Sequence, residues 1–568
     1  MPNAADILID TLIEWDVKVI FGLPGDGING VMEALRKRQD QIRFIQVRHE
    51  ESAAFMASAY AKFTGNLGVC LATSGPGGTN LLTGLYDAKL DQMPVLAITG
   101  TQYHDLIETF TQQDVDLTRL FDNVALYNAH VSDASHMENV ASLACRSALS
   151  RRGVAHLSIA NDVQEMDGKS RSKRNRPKHV PNRYFHGRQV PEEIELDRAA
   201  RILNDARKVA ILAGRGVVGA AEELREIADL LAAPVAKALL GKTALADDDP
   251  LTTGGIGILG TAPSQEIMEQ CDAVLIVGSS FPYIEYYPRP EAARGVQIDS
   301  DPQRIGLRFP VDAGLVGDAR ETLRLLRPRL TRKTDRSFLE KAQTAMSEWR
   351  RVADSGQNTE LAARHIDLRT TNQFAVSGAL ASMASGLPYA IAAGAADPKR
   401  PIYAVIGDGG FGMQLGEFST AVRMALPLKL LVICNGMLNQ IAWEQMMFLG
   451  NPQFACELAP IDFAKAAEAM GGRGFTIRRF DQIEPTLTEA FSVAGPVVIQ
   501  AMVDQYEPMM PPKMPKDYAK SFRQALPETP GHRAIEANVS RSPLREMMDA
   551  GEQEKELSEN TTDLPGIP

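Results

Sequence analysis

The chain has 568 residues, which is too many for one hydrophobic core, and about three domains are expected from this length. A net charge of −11 argues against a nucleic-acid-binding surface, and five scattered cysteines without a CxxC pair argue against a disulfide framework or a zinc site. The chain has no apolar run long enough to span a bilayer and does not begin with a signal-peptide pattern, so we expect a cytoplasmic location.

Short β-branched runs alternate with longer helical stretches in three parts of the chain, which predicts three α/β domains. Each domain is expected to contain a mainly parallel sheet flanked by helices. The predicted domains span 1–165, 193–330 and 366–510, joined by a basic linker at 166–192 and a helical linker at 331–365. A C-terminal extension follows at 511–568, and its last stretch has the composition of disorder.

Glu50 lies in VRHEESAAFMASAYAKFTG, just after a predicted strand and before an Ala-rich helix. Small side chains let such a helix pack closely on its neighbours, so we expect the carboxyl group in apolar surroundings where it can share a proton. The alternative is an ordinary acid at the beginning of a helix, where it stabilises the first turn.

A glycine-rich turn follows a predicted strand in KVAILAGRGVVGAAEEL, where Gly214, Gly216 and Gly219 have the spacing of a dinucleotide fingerprint. An NAD site also needs an acid near the end of the next strand, to bind the ribose hydroxyls. That strand, PVAKALLGK, ends in Gly241 and Lys242 instead. A hydride-transferring dehydrogenase is therefore not expected.

The strand YAVI runs into Gly407, Asp408, Gly409 and Gly410. Glycine amides at the end of a strand, followed by the beginning of a helix, favour a phosphate. A second strand, LKLLVIC, ends before Asn435, so two neighbouring parallel strands could bring a carboxylate and an amide oxygen to one edge. Such ligands suit Mg²⁺, although two unrelated turns are the alternative.

GDGG followed by Asn at this interval resembles the thiamine diphosphate (ThDP) signature of the pyruvate oxidase and acetolactate synthase family. The resemblance implies a ThDP-binding fold, with a pyrimidine-binding N-terminal domain and a diphosphate-binding C-terminal domain around a central FAD-type domain. It also implies Asp408 and Asn435 as Mg²⁺ ligands, with a backbone carbonyl near Met437 as a third. Gly407, Gly409 and Gly410 are then expected beside the diphosphate.

The same resemblance extends to the first domain, where RHEE and TSGPGGTN are similar to the family's pyrimidine-binding motifs. In this family a glutamate at the position of Glu50 bonds N1′ of the aminopyrimidine. This hydrogen bond leads to removal of the thiazolium C2 proton. Met383 in SGALASMASG matches the apolar residue that holds the cofactor bent. The other positions that match cofactor contacts are Pro24, Gly25, Thr73 and Asn80.

Gln113 in TQQD matches a residue on the substrate side of the family's site. The family usually has Phe-Gln-Glu where this chain has Gln112, Gln113 and Asp114, so an aromatic contact to substrate is lost.

The middle of the chain resembles the central domain of FAD-containing members, through GGIGILGT, GSSFPYIEYYP, IDSDPQRIG and LVGD. A cofactor-free middle domain, as in some decarboxylases of the family, is the alternative. The residues that the resemblance places near FAD are Gly214, Arg215, Gly216, Gly257, Phe281, Asp299 and Asp318.

Glu444 follows Asn435 at a spacing similar to that of pyruvate oxidases, whereas acetolactate synthases have a Trp at that offset and Trp443 lies one residue short. We therefore expect decarboxylation of pyruvate or a similar 2-keto acid, with electrons passed to FAD and with Glu50, Gln113 and Glu444 as catalytic residues. Acetolactate synthase-like carboligation with a structural FAD is the alternative.

A protein of another class, a non-catalytic ThDP-fold binding protein, also stays open, because roughly one βα unit is missing from the third domain. The resemblance implies a homo-oligomer, a dimer or tetramer, with sites shared between subunits. No nucleic-acid partner is expected, and peripheral contact with a membrane through quinone use is unresolved.

Overall fold

The computed structural model describes residues 2–168, 174–176, 179, 184–185, 187–352, 358–508 and 515–541. The chain divides into two compact units. The first unit comprises Met1–His186, Ala375–Cys434 and Ile461–Met502, and the second comprises Gly187–Phe374, Asn435–Pro460 and Val503–Pro568. Part of the predicted basic linker and the end of the predicted extension, 542–568, lie outside the described residues.

Six parallel strands form the first sheet of the first unit, in the order β2-β1-β3-β4-β6-β5. The strands are β1 (Val19–Gly22), β2 (Arg43–Gln46), β3 (Gly68–Ala72), β4 (Val95–Thr101), β5 (Ala125–Val131) and β6 (Val154–Ala160). The helices around them are α1 (Ala4–Glu14), α2 (Asn29–Lys37), α3 (Glu50–Thr64), α4 (Pro76–Asn80), α5 (Leu82–Leu90), α6 (Leu117–Phe121), α7 (Ala134–Arg151) and α8 (Asn161–Glu165). Every residue of β3, β4 and β6 is buried, as expected for parallel strands covered on both faces.

The second unit contains a parallel sheet of six strands in the order β12-β11-β10-β7-β8-β9. The strands are β7 (Val209–Ala213), β8 (Val235–Lys237), β9 (Thr252–Gly255), β10 (Ala273–Val277), β11 (Arg294–Asp299) and β12 (Ala313–Val316). The accompanying helices are α9 (Glu193–Asp205), α10 (Ala221–Leu230), α11 (Ala262–Gln270), α12 (Ala319–Leu326), α13 (Ser337–Val352) and α14 (Asn358–His365).

A third parallel sheet has four strands in the order β13-β14-β16-β15 and belongs to the first unit. In chain order its segment contains α15 (Gly386–Ala396), β13 (Ile402–Gly407), α16 (Asp408–Met413), α17 (Phe418–Arg423), β14 (Leu428–Cys434), α18 (Asn439–Met447), α19 (Phe463–Ala469), β15 (Arg473–Ile477), α20 (Ile483–Ser492) and β16 (Val497–Met502). Helix α18 lies in the second unit, as do α21 (Lys516–Ala525) and α22 (His532–Arg541).

The order β13-β14-β16-β15 repeats the order β3-β4-β6-β5 of the first sheet. In the first sheet β1 pairs with the outer side of β3, whereas β13 pairs with β14 alone among the described residues. The third sheet therefore has no described counterpart of β1 and β2. The predicted loss of a βα unit from this domain stays a prediction, as do the predicted domain limits.

A shared apolar core joins the two sheets of the first unit and is built around α3 and α15. Ala53, Ala54 and Ala57 of α3 are fully buried in it, because small side chains allow neighbouring helices to approach closely. The predicted fold class, three parallel α/β sheets flanked by helices, is confirmed. Within the described ranges, no helix combines the length and apolar character needed to cross a membrane.

Candidate active site

Glu50 is the first residue of α3 and follows the N-cap residue His49. The His49 ring accepts a hydrogen bond from the Glu51 amide, which stabilises the beginning of the helix. Glu50 is 6% exposed, and Asn80 Nδ2 donates a 3.0 Å hydrogen bond to its Oε2. A side chain at Gly77 would lie 3.4 Å from Oε1. Asn80 therefore orients the carboxyl group, and Gly77 lies beside its other oxygen.

Hydrogen bonds join the loops FGLPGDG and TSGPGGTN at the carboxyl ends of β1 and β3. Thr73 Oγ1 accepts a 3.0 Å hydrogen bond from the Gly27 amide and donates one of 3.3 Å to the Asp26 carboxylate. A Cβ at Gly25 would lie 2.5 Å from Thr73 Cβ, so glycine is required for this approach. The predicted residues that follow the ends of β1, β2 and β3 at this edge are Pro24, Gly25, Glu50, Thr73 and Asn80.

Gln113 lies in the loop between β4 and α6 and has a left-handed φ of 59°. Ser74 Oγ donates a 2.6 Å hydrogen bond to Gln113 Oε1, which brings Gln113 to the same edge. Asp114 shapes the loop by accepting hydrogen bonds from the Glu108 and Phe110 amides at 3.1 and 2.9 Å. Phe110 lies in the same loop, and its side chain is fully exposed.

The GDGG motif begins where β13 ends at Gly407 and α16 begins at Asp408. Asp408 Oδ1 accepts a 2.9 Å hydrogen bond from the Gly409 amide. A Cβ at Gly410 would lie 3.4 Å from Ile406 Cγ2 and 3.6 Å from the Ala384 nitrogen. The loop that carries Met383 therefore approaches this motif closely.

Met383 itself is 46% exposed and is flanked by Ala381 and Ala384, whose φ angles of 54° and 67° are left-handed. Alanine rarely adopts this conformation, because its Cβ approaches the backbone. The surrounding structure must therefore hold the loop in place.

The register of β13 and β14 pairs Gly407 with Ile433, so the two strands end at the same edge of the sheet. Asn435 follows β14 directly along the chain, because this strand ends at Cys434. Burial, with a contribution from the nearby Asp408 carboxylate, raises the pKa of Cys434 to about 12. Among the described residues, no three His, Cys, Asp or Glu side chains are grouped to hold a metal ion. The predicted Mg²⁺ ligands are of another kind, because they comprise one carboxylate, one side-chain amide and one backbone carbonyl.

In the second unit, Asn435 Oδ1 accepts a 3.0 Å hydrogen bond from the Met437 amide. Met437 is buried and forms an antiparallel bridge with Glu457, which fixes the segment before α18. Glu444 lies on α18, where Gln440 Nε2 donates a 3.0 Å hydrogen bond to its Oε1.

Trp443 precedes Glu444 on α18 and is fully buried. Its ring stacks on Phe522 of α21 at 5.6 Å, and its Nε1 donates a 3.0 Å hydrogen bond to the Glu507 carbonyl. These contacts account for Trp443 as a core residue of the second unit.

The glycine fingerprint after β7 packs against the loop after β10. The Gly216 amide donates a 3.0 Å hydrogen bond to the Gly278 carbonyl, and a Cβ at Gly216 would lie 2.7 Å from Gly278 Cα. A Cβ at Gly214 would lie 2.2 Å from the same carbonyl oxygen. Close packing of the two loops therefore accounts for these two glycines, beside a half-buried Arg215.

The remaining predicted FAD residues follow the carboxyl ends of other strands of this sheet. Gly257 follows β9 with a left-handed φ of 92°, and its Cβ would lie 2.8 Å from Phe281 Cζ. Asp299 ends β11 and accepts a 3.0 Å hydrogen bond from the Asp301 amide, and burial raises its pKa. Asp318 caps α12 by accepting a 3.0 Å hydrogen bond from the Glu321 amide, which is a structural role. The parallel sheet thus brings the predicted set to one edge.

Three family models match the chain in succession. They are the thiamine pyrophosphate enzyme N-terminal TPP-binding domain at residues 2–120, the central domain at 196–326 and the C-terminal TPP-binding domain at 354–501.

Relatives match over most of their length. The "Putative thiamine pyrophosphate-containing protein YdaP" of Bacillus subtilis (strain 168) is 37% identical, over 92% of this chain and 95% of the relative. The pyruvate oxidase of Lactiplantibacillus plantarum is 29% identical, over 91% of each chain. The acetolactate synthase of Mycobacterium leprae is 30% identical, over 93% of each chain.

Proposed function

This chain belongs to the thiamine pyrophosphate enzyme family, and from that premise we propose that it decarboxylates pyruvate or a similar 2-keto acid and passes the electrons to FAD. The buried Glu50 carboxyl group, held by Asn80 beside Gly77, is the observation that carries this proposal. An acid with one oriented oxygen and one oxygen beside a glycine is suited to exchanging a proton with a bound ring nitrogen.

When bound, ThDP supplies a nucleophilic carbon and accepts the electron pair that carbon dioxide leaves behind. Glu50 holds the proton at N1′ of the aminopyrimidine in this proposal, and Asn80 keeps the carboxyl group in position. Gln113, held by Ser74, and Glu444 are assigned to the substrate side.

The chain's residues fit a diphosphate at the end of β13. A Cβ at Gly410 would meet Ile406 and the Ala384 amide only at ordinary contact distances, and the glycine lies in the first turn of α16, where backbone amides suit a phosphate. We assign Asp408, Asn435 and the Met437 carbonyl to Mg²⁺, which suits oxygen ligands. The residues assigned to the cofactor beside them are Met383, Gly407, Gly409 and Gly410.

FAD is assigned to the carboxyl edge of the second unit's sheet. Gly214 and Gly216 belong to the set by the resemblance, and Arg215 between them supplies a half-buried cation that suits a phosphate. The buried Asp299 ends a neighbouring strand at the same edge. These residues fit a dinucleotide, with Gly257, Phe281 and Asp318 as the further members of the set.

Acetolactate synthase-like carboligation is the second candidate, because relatives with that name match almost the full chain. The packing of Trp443 favours the oxidase. Its ring is enclosed by the second unit's core, so it does not take the part of the tryptophan expected in the synthases, and Glu444 is the half-buried residue of the pair.

A non-catalytic ThDP-fold binding protein is the third candidate. It is favoured by the four-stranded third sheet, which lacks described counterparts of β1 and β2. The retention of Glu50, Asp408 and Asn435 favours the enzyme, because a purely structural role does not require all three.

The visible spectrum of the purified protein, mixed with pyruvate without oxygen, distinguishes these candidates. We expect bound flavin to be bleached as electrons reach FAD. Unbleached flavin with acetolactate formed supports the carboligase, and neither change supports the binding protein.

Glu50→Gln tests the assigned proton exchange, because glutamine keeps the shape but does not exchange the proton. We expect pyruvate-dependent reduction of an artificial electron acceptor to fall at least about 100-fold, with ThDP binding largely retained. Glu51→Gln is the matched control, since Glu51 is adjacent but contacts Gln414 instead. Turnover that survives the change at Glu50 contradicts the mechanism.

The proposed partners are a small 2-keto acid and further copies of the same chain, as a dimer or tetramer. We propose a cytoplasmic location, with a peripheral position at the membrane to be tested by flotation with vesicles of bacterial lipid.

A further inference from the structure

A cluster of ionisable side chains is buried in the first unit, where α3, α5 and α15 meet. It consists of Lys62, Asp87, Asp91 and Tyr389, which we call the Lys62 cluster. The side chain of Lys62 is 4% exposed, and those of Asp87 and Asp91 are fully buried. The cluster contains one cation for two carboxylates.

Short hydrogen bonds hold the cluster together. Lys62 Nζ lies 2.6 Å from Asp91 Oδ2 and 3.2 Å from Asp87 Oδ2. The Tyr389 hydroxyl donates a 2.5 Å hydrogen bond to Asp87 Oδ2, and Ser58 Oγ donates one of 2.6 Å to the same oxygen. Burial, together with Asp87, raises the pKa of Tyr389 far above its ordinary value, so the hydroxyl keeps its proton.

Two members of the cluster also hold the loop at 376–384, which carries Met383. The Asp91 carboxylate accepts hydrogen bonds from the Gly378 amide at 3.1 Å and the Ala379 amide at 2.9 Å. Lys62 Nζ donates a 3.0 Å hydrogen bond to the Val376 carbonyl. The cluster thus binds the backbone at the beginning of this loop.

The loop needs such support because of its conformation. Ala381 and Ala384 are left-handed, and the Ser382 amide donates a 3.0 Å hydrogen bond back to Ser377 Oγ. Strained non-glycine residues persist where the surrounding structure fixes them. The loop at 376–384 also approaches Gly410 in the GDGG motif, through the Ala384 amide.

Burying a cluster of charged side chains costs desolvation free energy, and a protein with apolar side chains of similar volume in their place is often equally stable or more stable. Directional hydrogen bonds to a backbone segment are something that apolar residues do not provide. We infer that Lys62 and Asp91 are positioning residues, which hold the 376–384 loop in its strained conformation and so present Met383 to the cofactor. This inference rests on the proposed function for the role of Met383.

Asp91→Asn tests the inference, because asparagine keeps the size but loses the charge and one of the two amide acceptors. Hydrogen exchange of peptides that cover 376–384, measured by mass spectrometry without cofactor, should become faster in this variant. The peptides of β3 and β4 should exchange as in the parent protein. Unchanged exchange in the loop overturns the inference whether or not the protein has any activity.

Kinetics give the second readout. We expect kcat to fall roughly 10- to 100-fold in Asp91→Asn, while KM and the ThDP dissociation constant change little, because a displaced contact impairs the reaction more than binding. Combined with Met383→Ala, the change should cost no more than Met383→Ala alone, since both act through one loop. Additive losses contradict the inference.

Asp247→Asn is the matched control, because Asp247 forms a comparable buried ion pair with Lys237 in the second unit. Its effects should add to those of Met383→Ala and leave exchange in the loop unchanged. If Asp91→Asn does not fold, Lys62→Gln serves in its place, with the same faster exchange expected in the loop. If the parent protein shows no turnover of pyruvate, but the loop exchanges faster in Asp91→Asn, the proposed function is refuted and the positioning role is not.

Discussion

At the scale of single residues, His156 shows how burial couples stability to pH. It lies fully buried on β6, with Nε2 2.8 Å from Thr99 Oγ1 and Nδ1 2.7 Å from Asn128 Oδ1, and its ring stacks on Phe121. Burial lowers the pKa of His156 to about 3. The folded chain therefore keeps this histidine neutral at pH values where the unfolded chain binds a proton.

The sign of the effect follows from this difference in proton binding. The stabilisation by neutral His156 is fully present above pH 6.5, the ordinary value, and is lost as pH falls towards about 3. The free energy of unfolding should fall by up to about 1.4 kcal/mol per pH unit in this window. His156→Gln should flatten the pH dependence of the urea midpoint there, whereas the surface change His532→Gln should not. An unaltered slope in His156→Gln would show that another group dominates.

At the scale of elements, the packing of α5 on α3 depends on one glycine. A Cβ at Gly84 in α5 would lie 2.5 Å from the Phe55 nitrogen of α3, which is closer than atoms can approach. Gly84→Ala must therefore push the two helices apart, and with them the Asp87 and Asp91 side chains.

We expect Gly84→Ala to lower the free energy of unfolding by about 1 to 3 kcal/mol, as overpacked cores do. Gly416→Ala is the control, because a Cβ at Gly416 meets no atom within 4 Å. Thermal unfolding of the two variants measures the difference. Equal midpoints would contradict the close packing of α5 on α3.

At the scale of the whole molecule, the proposed cofactors should stabilise the folded chain. A ligand that binds only the folded state adds about 2.7 kcal/mol at 100 times its dissociation constant. ThDP with Mg²⁺ should thus raise the thermal midpoint, and EDTA should abolish the increase. Asp408→Ala should also abolish it, whereas Asp397→Ala, an exposed aspartate of the same unit, should not. A rise with ThDP in EDTA would contradict the assigned metal.

Much of the fold could be predicted from the sequence because its signals are local. Alternating strands and helices predicted three parallel sheets, and the buried strands β3, β4 and β6 show why such runs are apolar throughout. The loop motifs after β1 and β3 were also recognisable, since glycines at strand ends mark close approaches of the backbone. The structure adds the hydrogen bond from Asn80 to the Glu50 carboxyl group, which joins the two motifs that contain these residues.

Other features depend on contacts between residues far apart in the chain. The Phe110 side chain is fully exposed in a loop that Asp114 holds, and Trp443 is buried with its ring packed on Phe522. Neither environment leaves a pattern in the neighbouring residues. The roles of Gln113, Glu444 and the metal ligands stay predictions.

The sequence by itself determined the family, the three-sheet architecture and the candidate cofactor residues, because each depends on residue types at short spacings. Only the tertiary structure decided that Lys62 and Asp91 bind a backbone loop some 300 residues further along the chain. Buried charges are paired by the fold and not by the local pattern, since the cost of burying each one depends on partners that distant segments supply.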